Sequence, residues 1–464
     1  MADTTLAIPQ EITDLPSAER RATPVVPPKV ITGTDGGDII ATTAQDDIVN
    51  ALAGNDIIRG SKGDDLINGG LGIDTVDYSA LGGPVRLGAA GKVFKGKDGA
   101  FGTDQLIGIE TIVGSKGAGD TIDGSTATSG TVPINVDLSQ QTLSVIGVPG
   151  LGTLNFIVKN FEDVIGTGAD DIIAGDIQNN KLSGGAGNDL IIGSKGDDLI
   201  DGGDGIDTVD YSALGGPIRL GAAGIVNKGK DGKFGTDQLL RGIEIIVASK
   251  GVGDTIDGSR VPVGDSAQYE VDLSKQTFKI LDIPGPQGPI LNLTVKNFED
   301  VTGSHNNDII IGDLQNNKLD GGDGNDILTG TTGSFAGSTE VDTLTGGNGD
   351  DIFVLGRGDT LFYSGNRNAD FAKITDFGNG ADQIFLANGN YATNDDITKL
   401  FAIKANGSRD LIAKIDFAQG SSSTSQRQAS SVALSDATVN PLLTNTTFSL
   451  SQGQSFGIFT AGVV

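Results

Sequence analysis

The sequence predicts an all-β fold: a right-handed parallel β-roll, or β-solenoid, of nine-residue units with a β-rich cap at its C-terminal end. Three observations carry the prediction. A nine-residue unit recurs in three blocks, and a unit of about 135 residues is present twice. The third is composition: 72 of 464 residues are glycine, with no cysteine and no tryptophan to build a conventional core.

The elements follow in chain order. Residues 1–32 include TPVVPPK and read as an extended Pro-containing arm. From Gly33 the units run GTDGGDIIA, TTAQDDIVN, ALAGNDIIR, GSKGDDLIN and GGLGIDTVD, and a β-rich insert completes the segment 33–165. From Gly166 they run GTGADDIIA, GDIQNNKLS, GGAGNDLII, GSKGDDLID and GGDGIDTVD, and a homologous insert completes 166–302. The third block, 303–354, opens with GSHNNDIII, GDLQNNKLD and GGDGNDILT, and resumes after an insertion at Val341 and Gly346. The long repeat shows in GSKGDDLINGGLGIDTVDYSALGG at Gly60, which returns as GSKGDDLIDGGDGIDTVDYSALGG at Gly193.

Within a unit, a glycine-rich stretch leads to Asp at position six and a large aliphatic at position eight. Glycine admits positive φ and close backbone approach, so the first half is a tight turn. The second half is a short strand with the position-eight side chain inward. Two units, 18 residues, make one coil. Successive coils stack at one strand spacing, ~4.8 Å.

That stacking places position-six carboxylates in adjacent turns: Asp38 with Asp56, Asp47 with Asp65, and Asp56 with Asp74. Paired carboxylates in a packed turn repel by several kcal/mol unless a cation lies between them. Ca²⁺ takes about six to eight oxygens in flexible geometry, and two carboxylates plus turn carbonyls can supply them. Mg²⁺ demands a stricter octahedron, and the His and Cys that zinc prefers are missing from these turns. The net charge of −28 agrees, since it attracts cations and repels nucleic acid and anionic lipid. A chain without cysteine has no disulfide, and a single histidine, His305, leaves little scope for acid–base catalysis. No apolar run is long enough for a membrane-spanning helix, and MADTTLAIPQEITDL is no Sec-type signal.

The nonapeptide G-G-x-G-x-D-x-U-x resembles that of the RTX (repeats-in-toxin) calcium-binding family, over Gly33 to about Phe417. The resemblance implies calcium held between stacked turns. Its ligands would be the carbonyls of positions two and four and the Asp of one unit, with the carbonyls of positions one and three and the Asp of the unit 18 residues on. In the first block this implicates Gly36, Asp38, Asp47, Gly54, Asp56, Gly60, Asp65, Gly69 and Asp74. In the second it implicates Gly185, Gly187 and Asp189 with Gly202, Asp204 and Asp207, beside Asp171, Gly184, Gly193 and Asp198. In the third it implicates Ser304, Asn306 and Asp308 with Gly321, Asp323 and Asp326, then Asp342 and Asp351. Asn180 and Asn317 replace Asp at position six, so those sites are expected to be weak or vacant. The unit from Thr42 lacks glycine, which puts its turn geometry in question.

The inserts, about Tyr78–Ile165 and Tyr211–Thr302, contain alternating stretches such as INVDLSQQTLSV and are expected to continue the coil with longer, irregular turns. Residues 355–417 are expected to cap the open core, because 353–417 gather nine of the 23 aromatic side chains. This region is similar to the C-terminal caps of cyanobacterial RTX proteins. Residues 418–464 are a Ser-rich linker and a tail with no ionisable side chain after Asp436, read as a type I secretion signal or as an edge hairpin.

By the same resemblance the chain is expected to leave the cell unfolded through a type I ABC exporter and to fold on extracellular calcium. The expected function is a structural subunit of a surface layer, sheath or fibre, self-associating at the cell surface. The alternative is a calcium-dependent adhesin or glycan-binding matrix protein contacting cell-surface polysaccharide. Catalysis is not expected, because no nucleophile–base pairing is visible.

Overall fold

The computed structural model describes residues 27–418 except 118, 128–131, 252, 261–266, 282–289, 334–337, 365–367 and 395–397, and beyond them the strands Ser431–Leu434, Phe448–Ser449 and Phe459–Ala461. Each coil gives one strand to each of two long sheets. Lys29–Thr32, Asp47–Asn50 and Leu66–Asn68 lie parallel in the first sheet. Ile39–Ala41, Ile57–Arg59 and Thr75–Asp77 lie parallel in the second. The register is the 18-residue coil: Lys29 faces Asp47, Ile39 faces Ile57, and Ile48 faces Leu66.

The strands are short because the unit leaves only three or four residues after its turn. Ile39 is exposed and Ile40 buried, and the position-eight residues Ile58, Ile67, Val76, Ile191, Ile200 and Leu319 are all buried between the sheets. Each such side chain contributes about 1.5–3 kcal/mol of burial. The roll starts before Gly33, which corrects the expected arm boundary: Lys29–Thr32 is already a strand of the first sheet. The remainder of the arm up to residue 26 lies outside the described residues. The glycine-free unit also closes its turn. Thr43 donates from its backbone N–H and its hydroxyl to Asp47 Oδ2, at 2.5 and 2.9 Å.

The inserts do not continue the coil with longer turns. Each carries two antiparallel three-strand meanders, one spliced into each sheet of the parallel stack. In the first sheet, Gly102–Ile107 lies parallel to Leu66–Asn68, Lys92–Lys95 runs back beside it, and Val85–Gly88 runs beside that and pairs in parallel with Thr121–Asp123. In the second sheet, Gly152–Lys159, Thr142–Val148 and Ile134–Asp137 repeat the device between Thr111–Val113 and Ile172–Ala174. The second copy does the same with Ile218–Gly221, Ile225–Lys228 and Gly235–Leu239. The chain reverses because its connections are tight. Ala90 and Gly91 have φ of 54° and 73°, and Asp98 and Gly99 have 55° and 77°.

At the C-terminal end, Phe371–Phe377 pairs in parallel with Val341–Asn348, and Arg409–Phe417 pairs with Phe371–Phe377. Lys399–Ile403, Gly389–Thr393 and Phe459–Ala461 then add antiparallel strands. Phe353 packs tilted against Phe377 and Phe377 edge-to-face against Phe417, at 6.1 and 6.0 Å between ring centres, and Phe362, Tyr363 and Tyr391 are buried with them. These aromatics fill the end of the core. The stretch 419–430 lies outside the described residues.

Candidate calcium sites

The turns stack as closely as backbone permits. Gly187 and Gly205, position four in successive coils, have φ of 115° and 143°. A Cβ on Gly205 would lie 1.7 Å from the Gly187 carbonyl oxygen, so only glycine fits. A Cβ on Gly203 would lie 2.0 Å from the Gly185 oxygen. Turn carbonyls are thereby brought into a column. Gly187 N–H donates to the Asp204 carbonyl at 2.9 Å, and that oxygen keeps a second lone pair for a ligand.

Behind the turns runs a ladder of carboxylates. The N–H of each position-six residue donates to the carboxylate one coil on. Asp38 donates to Asp56 at 2.7 Å and Asp56 to Asp74 at 2.8 Å; Asp171 donates to Asp189 and Asp189 to Asp207, both at 2.8 Å. In the third block Asp308 donates to Asp326 at 2.7 Å and Asp326 to Asp351 at 2.9 Å. These bonds use one oxygen of each carboxylate. The other, Oδ2 of Asp56, Asp74, Asp189, Asp207, Asp326 and Asp351, is buried with no hydrogen-bond partner. A buried charged oxygen without a partner is costly. Burial accordingly pushes Asp326 up to about 8 and Asp189 and Asp351 up to about 7, with neighbouring carboxylates adding to the rise. Asp74 and Asp207 are raised for the same reason.

This donor set fits calcium. The orphaned oxygens are hard, anionic and stacked, and the glycine turns offer carbonyls beside them. No group of three or more His, Cys, Asp or Glu side chains gathers around one point among the described residues, so the carbonyls must complete any coordination shell. Asp56, Asp74, Asp189, Asp207, Asp326 and Asp351 would hold the ion, with Gly54, Gly185, Gly187, Gly202, Gly321 and Asn306 in the adjoining turns. A bound calcium supplies the positive charge that these paired carboxylates lack.

The other residues singled out from the sequence are placed differently. Asp38 and Asp171 use their second oxygens within their own turns, accepting from Thr34 N–H at 2.6 Å and Thr167 N–H at 2.5 Å. Asp308 does likewise with Ser304 N–H at 2.5 Å. Gly36 lies in the exposed first turn, while Gly69 and Gly184 abut the next turn so closely that a Cβ would meet a backbone or carboxylate oxygen within 2.3 Å. Asp204 is exposed, and Asp323 accepts from His305 Nδ1 at 2.7 Å. Asp342 accepts from the Tyr363 hydroxyl at 2.5 Å. Gly60 and Gly193 make room for the rings of Tyr78 and Tyr211. Asp65 and Asp198 each face a fully buried lysine, Lys95 and Lys228. Asn180 and Asn317 are hydrogen-bonded through both side-chain atoms. Their Nδ2 groups donate to the Glu162 and Glu299 carbonyls at 2.8 and 2.9 Å.

The ladder also includes residues that the nonapeptide reading missed. Asp65 and Asp198 donate to Asp104 and Asp237, Asp74 and Asp207 donate to Glu110 and Glu244, and Asp351 donates to Asp382. Asp120 and Asp254 donate in turn to Glu162 and Glu299, which burial pushes up to about 7. The signal was present as acidic-x-aliphatic without its glycine turn, in ETI, DTI and EDV.

Stacked glycine turns over a ladder of half-satisfied carboxylates define a calcium-binding parallel β-roll. Comparison with known proteins agrees. Residues 32–60, 42–76, 164–199 and 175–209 match the RTX calcium-binding nonapeptide repeat, and residues 280–427 match the C-terminal region of the serralysin M10 peptidases. The chain therefore carries the repeats through which RTX proteins bind Ca²⁺ together with a serralysin-type C-terminal region, and the two matches support a secreted calcium-binding RTX protein. The crystal structure of the extracellular lipase LipA from Serratia marcescens aligns with 58% of this chain at 19% identity and a TM-score of 0.17. The alignment spans 38% of that chain. Among curated proteins there is no match.

Proposed function

We propose that this chain is a structural subunit of an extracellular surface layer, sheath or fibre, exported unfolded by a type I ABC transporter and assembled once calcium has folded it. One observation carries the reading. At the N-terminal end both sheets present an open edge: among the described residues Lys29–Thr32 pairs only with Asp47–Asn50, and Ile39–Ala41 only with Ile57–Arg59. Val30 and Ile39 on these edge strands are 65% and 68% exposed. Open apolar edges template pairing with another chain.

A calcium-dependent adhesin is the second reading. A groove of about 460 Å³ beside the second insert is lined by Arg219, Asn227, Lys230, Asp231 and Arg260, a set suited to an anionic polysaccharide. We propose no catalytic role; His305 is engaged by Asp323.

Sedimentation velocity in millimolar calcium separates the readings. The subunit reading predicts large species from the native chain and a compact monomer from the Val30→Lys/Ile39→Lys variant, because charged edges block strand addition. A native chain that stays monomeric and is retained on an anionic polysaccharide matrix would instead support the adhesin.

A further inference from the structure

The two edges of the roll differ in what faces their carboxylates. The turns that lead into the second sheet carry the orphaned oxygens of Asp56, Asp74, Asp189, Asp207, Asp326 and Asp351. The turns that lead into the first sheet carry Asp47, the first carboxylate of that edge, whose Oδ1 is also buried without a partner, and further in Asp65, Asp104, Asn180, Asp198, Asp237 and Asn317, where the chain supplies its own donors. Lys95 Nζ lies 3.2 Å from Asp65 Oδ2 and contacts Asp104 Oδ1, with all three side chains fully buried. Tyr78 adds a hydroxyl to Asp104 Oδ2 at 2.7 Å. The second copy repeats the arrangement. Lys228 Nζ lies 3.0 Å from Asp198 Oδ2, contacts Asp237 Oδ1, and donates to the Ser194 carbonyl at 2.7 Å. Tyr211 donates to Asp237 at 2.8 Å.

Lys228 thus holds two position-six carboxylates from successive coils and the carbonyl of position two in the GSKGDDLID turn. Those are the groups that a cation between these turns would draw on. An ammonium group and a divalent ion cannot share that space, and a buried lysine removed from two carboxylates would leave both charges unpaired.

We propose that calcium occupies the second-sheet edge of the roll, and that Lys95 and Lys228 take its place at the interior rungs of the first-sheet edge where the meanders begin. At Asn180 and Asn317 an amide nitrogen does the same without a charge. The lysines come from the meanders: Lys95 ends strand Lys92–Lys95 and Lys228 ends strand Ile225–Lys228, each on the inward face with Val93 or Val226. Each first-sheet meander therefore brings a covalently attached cation to the coil that it joins. Asp65 and Asp198 pass from the calcium ligands to the lysine partners. The proposal does not depend on the assembly role.

Two measurements test it. Crystals of the native chain grown in millimolar calcium are examined by anomalous scattering. Calcium peaks are expected between Asp189 and Asp207, and no peak between Asp65 and Asp104 or between Asp198 and Asp237. A peak at either lysine rung would overturn the proposal. Equilibrium dialysis with radioactive calcium then compares the native chain with the Lys95→Ala/Lys228→Ala variant. A folded variant should bind one more calcium for each lysine replaced, and a folded variant with no gain counts against the proposal. If the variant fails to fold at millimolar calcium, the scattering map of the native chain alone decides.

Discussion

Acidifying the calcium-free chain from pH 8 to pH 5 draws it into compact β structure. The sign follows from the raised carboxylates. In the folded, metal-free form Asp326 holds its proton up to about pH 8, and Asp189, Asp351, Glu162 and Glu299 hold theirs up to about pH 7. In the unfolded chain the same groups lose their protons near pH 4. Folding therefore takes up protons between about pH 4 and pH 8, and stability falls as pH rises through that window. Their contribution is fully present below about pH 4 and lost once pH exceeds the folded values. Protonation and calcium act on the same groups, so acid substitutes in part for the metal. Far-UV circular dichroism and size-exclusion chromatography in chelator, at pH 8, 6.5 and 5, check the expectation. A chain more expanded at pH 5 than at pH 8 would contradict it.

Asp326→Asn separates the cost of the ladder from its use. Asp326 is fully buried, between Asp308 and Asp351, and its Oδ2 has no partner. A rise from 3.8 to about 8 keeps Asp326 largely protonated in the metal-free fold at pH 7, and taking up that proton on folding costs on the order of 4 kcal/mol. Asparagine removes that cost and keeps an oxygen. The variant is expected to gain stability without calcium and to lose affinity for it. The calcium midpoint for folding of the third block should rise by roughly tenfold or more, since ligand charge sets affinity in oxygen sites. Urea unfolding in chelator and in millimolar calcium reads both effects. A variant equally destabilised under both conditions would show that Asp326 acts only by packing.

Much of this was legible in the sequence because the unit is periodic. Asp at position six and an aliphatic at position eight fix a turn, a strand and an inward face, and Asp189 and Asp207 fall 18 residues apart as the coil requires. The meanders were not legible as reversals. In the sequence the inserts read as longer, irregular turns of the coil, and it is the positive φ of Ala90, Gly91, Asp98 and Gly99 that turns the chain back. Asp104 and Asp237 were hidden in FGTDQL, which carries the repeat after a reversed strand. Lys95 and Lys228 were hidden by type. In KVFK and IVNK the lysine shares the inward face with a valine, and an inward charge in an alternating strand was the signal to follow. The charges of Asp65 and Asp198 could not be assigned to a metal or to a lysine until the fold placed the strand.

The central claim is that calcium folds this chain by occupying carboxylates that the fold itself cannot satisfy. A calcium titration of the purified chain at pH 7.5, followed by far-UV circular dichroism and sedimentation velocity with magnesium as control, tests it most directly. The structure predicts an expanded chain with little β signal in chelator, owing to 72 glycines and a net charge of −28. Micromolar to millimolar calcium should convert it cooperatively to a compact β protein, and equal magnesium should not. A chain already compact and β-rich in chelator at pH 7.5, and unchanged by calcium, would contradict the account.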